Sequence, residues 1–243
     1  MISFPIFLLP DEEDKNQFQL LNSDEEIYEY HRLNPLANSI NESIEQQKIA
    51  SLKYCVNYCL NNNEDLFLFI TDCHEKISNF NIEEIINELQ IPLARGIDLL
   101  LLNALVVEEL VPLTEKISWV NCFFGSTIML FFRPSFDKIR NHVAVTENSF
   151  DTNLFELLNR KFILHEQIFP PTLPRLKLER YGEKSFNELL QLTDYQIQLY
   201  KNVFIHFANF IEDNPSLDEE KIRFIKKYSR YVVLKERYIS SFL

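Results

Sequence analysis

Apolar and polar positions fall into blocks of two periods along this chain, and the blocks predict its elements. Ile2–Leu9 is a near-continuous apolar run, predicting an opening strand. Ser23 with Glu26 makes a capping box that predicts a short helix through about His31, and Asn34-Pro35 marks a turn. Ser43 with Gln46 opens a longer helix, whose apolar positions Ile44, Ile49, Leu52, Val56 and Leu60 recur at helical spacing until Asn61-Asn62-Asn63 stops it. Leu66–Thr71 is apolar almost throughout, as a strand buried on both faces must be. It delivers Asp72, Cys73 and His74 to its carboxyl end.

Asn81 with Glu84 caps a predicted helix over Ile82–Leu89, Pro92 and Gly96 punctuate the turn, and Ile97–Asn103 reads as a second buried strand. Strand, helix, strand, helix, strand is the order of an α/β fold with a mostly parallel sheet flanked by helices. Trp119–Phe132 contains a third run, Ile128–Phe132, entered through Gly125-Ser126-Thr127, and Pro134 fits the first turn of a helix over Ser135–Arg140. Asp151-Thr152-Asn153 precedes a helix at Leu154–Leu158, Phe162–Ile168 reads as a strand, and Phe169-Pro170-Pro171-Thr172-Leu173-Pro174 as an extended segment. A boundary near Gly182 separates residues 1–182 from a C-terminal helical extension, 183–243. There Ser185 with Glu188, Thr193 with Gln196 and Ser216 with Glu219 form successive capping boxes. Ile197, Tyr200, Val203, Phe204, Phe207 and Phe210 make one apolar stripe, expected to pack back on the α/β domain.

Composition narrows the function. A net charge of −12 disfavours nucleic acid, which needs clustered cations. The basic group Lys221, Arg223, Lys226, Lys227 and Arg230 reads as a solvated helix face. Three glycines leave no room for a Gly-rich phosphate loop, so a nucleotide would be held by a metal and side chains. Cys55, Cys59, Cys73 and Cys122 lack zinc spacing, and the first two share a helix face as small hydrophobes. The N-terminus lacks the basic start of a signal peptide, and no run reaches the ~18 apolar residues of a membrane span. A cytoplasmic setting without integral membrane segment is the default expectation.

Ligands of open α/β sheets bind beyond the carboxyl ends of the strands. Asp72 and His74 lie there, and at period-2 spacing they point the same way if the strand continues. Mn2+ or Mg2+ accepts carboxylate oxygen, and Mn2+ also imidazole, so the pair is a candidate metal site. His165 is a further candidate for a phosphate or metal contact, and its neighbour Glu166 faces the other way. Trp119 reads as a core anchor or a sugar-stacking ring, and Arg133 and Arg175 as phosphate partners.

From about Asn38 to Pro171 the chain resembles bacterial glycosyltransferases of the GT-A fold, particularly the lipopolysaccharide type. In that family a Ser-His helix precedes a strand ending in Glu-Asp-Asp. Here Ser43–Lys53 leads to Leu68-Phe69-Ile70-Thr71-Asp72-Cys73-His74. A Gly turn entering an apolar strand and then a helix is similar to Gly125–Ile139, an Asp-polar-x-Leu helix start to Asp151-Thr152-Asn153-Leu154, and a strand ending in proline to Ile168-Phe169-Pro170-Pro171. Two departures stand out. The Ser-His is Gln46-Gln47, and the acidic triplet is reduced to Thr71-Asp72 with His74 as a replacement ligand.

The resemblance implies a GT-A-like, Rossmann-like sheet and transfer of a sugar from a nucleotide-diphosphate sugar, UDP-sugar favoured, to a glycan or other acceptor hydroxyl. It implies Thr71, Asp72 and Gln47 as nucleotide-sugar contacts and Asp72 and His74 as ligands of Mn2+ or Mg2+. Asp151 falls on the acceptor side, where an inverting enzyme needs a base. Asp151 reads equally as a helix N-cap, and Glu156 is the alternative base. The rival expectation is a binding protein on the same fold with a degenerate site.

Overall fold

The computed structural model describes residues 4–9, 29–33, 43–71, 96–112, 116–143, 148–165, 191 and 197–198. In chain order the elements are β1 (Pro5–Leu9), β2 (Glu29–Arg32), α1 (Ile44–Asn62), β3 (Leu66–Thr71), β4 (Leu99–Leu101), β5 (Val106–Pro112), β6 (Ile117–Phe124), β7 (Ile128–Phe132), α2 (Arg133–Asn141), α3 (Phe150–Leu157) and β8 (Lys161–Leu164). The fold is α/β.

Local signals set several boundaries. The Ser43 hydroxyl accepts the Gln46 N–H at 3.3 Å while the Gln46 side chain accepts the Ser43 N–H at 2.9 Å, so the predicted capping box is formed. Asn63 ends α1 in the left-handed region at φ 63. Cys55 and Cys59 are buried on the face of α1 that meets the core, together with Leu52 and Val56. Burial pushes the Cys55 thiol well above its ordinary pKa, with nearby Cys59 adding to the shift. Ser51, one turn from that row, is buried with them.

One eight-stranded sheet runs in the order β2-β1-β3-β7-β4-β8-β6-β5. β1 pairs in parallel with β2 and β3, and β4 with β8. The pairings β3–β7, β4–β7, β5–β6 and β6–β8 are antiparallel. The sheet is therefore mixed, not mostly parallel as its strand–helix order suggests. β7 runs backwards between β3 and β4, reached from β6 by the short Gly125–Thr127 turn and not by a crossover helix.

The helix predicted through His31 is replaced at its end by β2, registered Pro5↔Glu29 to Leu8↔Arg32 on β1. His31 stacks on Phe7 with centroids 4.9 Å apart and tilts against Tyr58 at 4.5 Å. Ladder bonds and ring packing outweigh the helix propensity of a short segment there. β5 carries Glu108, Glu109 and Pro112, which only an edge strand tolerates well.

Alternation along the strands divides the core. Phe7, Phe67, Phe69, Leu99, Leu101, Met129, Phe131 and Ile163 join Leu52, Val56, Phe136, Ile139, Phe150 and Leu154 of the helices in one cluster. Ile6, Leu8, Leu68, Ile70, Leu100 and Leu130, on the alternate positions, are also buried. Ile197, first residue of the predicted C-terminal stripe, is 1% exposed and belongs to the cluster, while Tyr200, Val203, Phe204, Phe207 and Phe210 lie outside the described residues.

At the end of the sheet where β4 begins, Asp98 is fully buried. Both its oxygens accept from Lys138 Nζ at 2.7 Å, and Oδ2 also accepts the backbone N–H groups of Asn159 and Arg160. It ties α2 to the entry of β8.

Candidate functional site

The carboxyl ends of β3 and β4 meet the start of β7, and the polar residues of the region gather there. Thr71 closes β3, and its N–H donates to Thr127 O at 2.8 Å. Asn103, two residues past β4 and fully buried, holds the β7 entry with its whole amide. Oδ1 accepts the N–H groups of Thr127 at 2.9 Å and Ile128 at 3.1 Å, and Nδ2 donates to Thr127 Oγ1 at 2.8 Å. The sequence reads Asn103 as the last residue of a buried strand, a place that gives no signal for this network.

Gly125 takes φ +70, and a Cβ there would stand 2.6 Å from Leu105 Cβ. Glycine alone fits both demands. Its N–H donates to Asp151 Oδ2 at 2.7 Å. Asp151 is not the N-cap of α3. Ser149 fills that position, accepting the Thr152 N–H at 3.1 Å, because α3 starts at Phe150, earlier than its apolar residues predict. Asp151 sits in the first turn, half-buried, with its carboxylate turned to the Gly125 turn.

Three anchors fix α3 and thereby Asp151. Glu45 Oε2 accepts the Phe150 N–H at 2.7 Å, joining the starts of α1 and α3. Asn153, 2% exposed, donates to Ser149 O at 3.0 Å. At the other end Lys161, 2% exposed on β8, donates Nζ to Phe155 O at 2.8 Å and Leu158 O at 2.6 Å. Burial lowers the Lys161 pKa to about 8, against the opposing pull of Cys122 and Asp98.

The other predicted site residues are placed less centrally. Gln47 lies half-buried one turn into α1, its N–H bonded to Ser43 O at 3.0 Å. Glu156 is exposed and accepts from Asn148 Nδ2 at 3.3 Å. Five residues of helix turn it about 140° from Asp151, so the two do not share a site. Asp72 and His74 lie outside the described residues, as do Arg175 and Glu166. Among the described residues no three His, Cys, Asp or Glu side chains come together to hold a metal ion.

His165 follows β8 at the same carboxyl edge, and its imidazole is engaged within the fold. It is 5% exposed, with Nε2 2.7 Å from Ser118 Oγ across the β6–β8 pair. Trp119 is a core anchor, 1% exposed, its indole N–H donating to Asn159 O at 3.0 Å. Arg133 donates to Glu64 O at 3.0 Å and lies over the Phe136 ring, at the end of the sheet opposite Thr71.

No protein-family model matches the chain, and no curated protein matches its sequence. Among the described residues no helix is long and apolar enough to cross a membrane.

Proposed function

We propose that the protein is a GT-A-like glycosyltransferase, moving a sugar from a nucleotide-diphosphate sugar to an acceptor hydroxyl. One observation carries the reading: the hydrogen bond from Gly125 N–H to Asp151 Oδ2 at the carboxyl edge of the sheet. The family resemblance singles out the Gly turn and the Asp-led helix separately, 26 residues apart. Their contact, beside the end of the strand that leads to Asp72, is what a common site requires.

In this reading Asp151 accepts the proton of the acceptor hydroxyl as that oxygen attacks the anomeric carbon, and the nucleoside diphosphate departs. The Gly125 N–H holds the carboxylate in one orientation. Thr71 and Gln47 belong to the donor side. Asp72 and His74, which follow the buried end of β3, would hold Mn2+ or Mg2+, their carboxylate and imidazole suiting Mn2+ best. When bound, such a cation neutralises charge on the departing diphosphate. Glu156, exposed and turned away, recedes as an alternative base.

The rival, a non-catalytic binding protein on the same fold, draws support from the same bond, since Asp151 in holding Gly125 already has a structural use. Calorimetry with Mn2+ and UDP-, GDP- and CMP-sugars decides between them. Metal-dependent binding with turnover supports the enzyme, with turnover alone lost in Asp151→Asn and both lost in Asp72→Asn with His74→Ala. Absence of metal-dependent binding to every nucleotide sugar sinks it.

A further inference from the structure

Around the Gly125–Thr127 turn several polar groups are held by named partners. Gly125 N–H is held by Asp151, Thr127 and Ile128 N–H by Asn103, Thr127 Oγ1 by Asn103, and Thr127 O by the Thr71 N–H. Among the side chains of the turn itself, Ser126 is the exception. The residue is 5% exposed, and its Oγ is buried with no hydrogen-bond partner among the described residues. A buried hydroxyl left unpaired is costly, and native structures keep few of them without a use. Its neighbours on both sides are pinned, so the backbone beneath it is rigid, while the hydroxyl needs only one χ1 step to change direction.

We propose that Ser126 Oγ is a contact for a hydroxyl of the donor sugar, a specificity-determining group of the glycosyltransferase site on whose reading this inference rests. The surroundings select the ligand class. A phosphate wants cations or several free N–H donors, but the N–H groups of Gly125, Thr127 and Ile128 are engaged, and the Asp151 carboxylate that holds Gly125 disfavours an anion beside it. A sugar hydroxyl both donates and accepts, as the serine hydroxyl does, and a neighbouring carboxylate favours it.

The test compares Ser126→Ala with wild type in two measurements. The first is calorimetric affinity for UDP and for UDP-glucose, UDP-galactose and UDP-N-acetylglucosamine. The second is thermal melting without ligand. The expected result is that the preference for the bound UDP-sugar over UDP shrinks about three- to tenfold, the weight of one hydrogen bond, while the ligand-free melting temperature stays level or rises. An unchanged preference overturns the proposal and leaves the glycosyltransferase reading standing. So does a lower melting temperature, since it would mean that the hydroxyl is satisfied within the fold. Wild-type protein that binds no nucleotide sugar overturns both.

Discussion

Glu45 and Phe150 stand 105 residues apart in the chain, yet the Glu45 carboxylate accepts the Phe150 N–H at 2.7 Å and binds the start of α1 to the start of α3. Glu45→Ala leaves the first N–H of α3 to water, a loss comparable to a helix cap and worth about 1 kcal/mol. Faster amide exchange at Phe150 and a small drop in melting temperature are expected. Unchanged protection at Phe150 would show that the bond contributes nothing.

Gly125→Ala should be among the most damaging single changes. The left-handed backbone costs a side chain about 1–2 kcal/mol, and a Cβ 2.6 Å from Leu105 Cβ adds an overpacking penalty of about 1–3 kcal/mol. Denaturant unfolding should register a loss of about 2–5 kcal/mol. Adding Leu105→Gly should recover part of it, since that change removes the Cβ that clashes and leaves the φ term.

Asn103→Ala strips two buried backbone N–H groups of their acceptor at once. A loss of about 2–4 kcal/mol is expected from the unfolding midpoint, since each orphaned group costs about 1–3 kcal/mol. Asn103→Asp keeps an acceptor in place and should cost less at a pH where the new carboxyl is protonated.

Lys161 gives a pH signature. Its folded pKa, about 8, lies below the ordinary lysine value of 10.5, so between these values the unfolded chain binds more protons than the folded one. Stability from this group therefore rises with pH across that window, by up to about 1.4 kcal/mol per unit. Below pH 8 the burial penalty is carried in full. Lys161→Met should flatten this part of the stability–pH curve relative to wild type. A parallel curve would show that the lysine titrates as it does in water.

Cys55 and Cys59 should resist a water-soluble thiol reagent under native conditions and react only on unfolding, since both are fully buried and burial disfavours the Cys55 thiolate. Rapid native labelling of either, read by mass spectrometry, would contradict the packing of α1 on the sheet.

What could be read from the sequence was local. The capping box of α1, its stop at Asn63 and the bounds of β3 and β7 each depend on residues within a turn or a strand of one another. Strand direction does not: Ile128–Phe132 is equally apolar whichever way it runs, and only its place between β3 and β4 makes it antiparallel. β2 and β5 escaped for a related reason, because edge strands owe their form to the neighbour they pair with. Asp151 and the Gly125 turn were both marked by resemblance, but their bond spans 26 residues and no spacing rule encodes it. Asn103 looked like a strand end and is the clamp of the turn.

The reversed β7 also governs the order in which the chain can assemble. β2, β1 and β3 form one ribbon and β4, β8, β6 and β5 another, and β7 alone bridges them. β3 and β4 must wait, as synthesis proceeds, until residues 128–132 emerge to seal their facing edges. Until then the apolar edges that carry Phe67, Phe69, Leu99 and Leu101 have no β7 to pair with, and contacts over such long sequence separation are the kind that slow folding and leave edges open to aggregation.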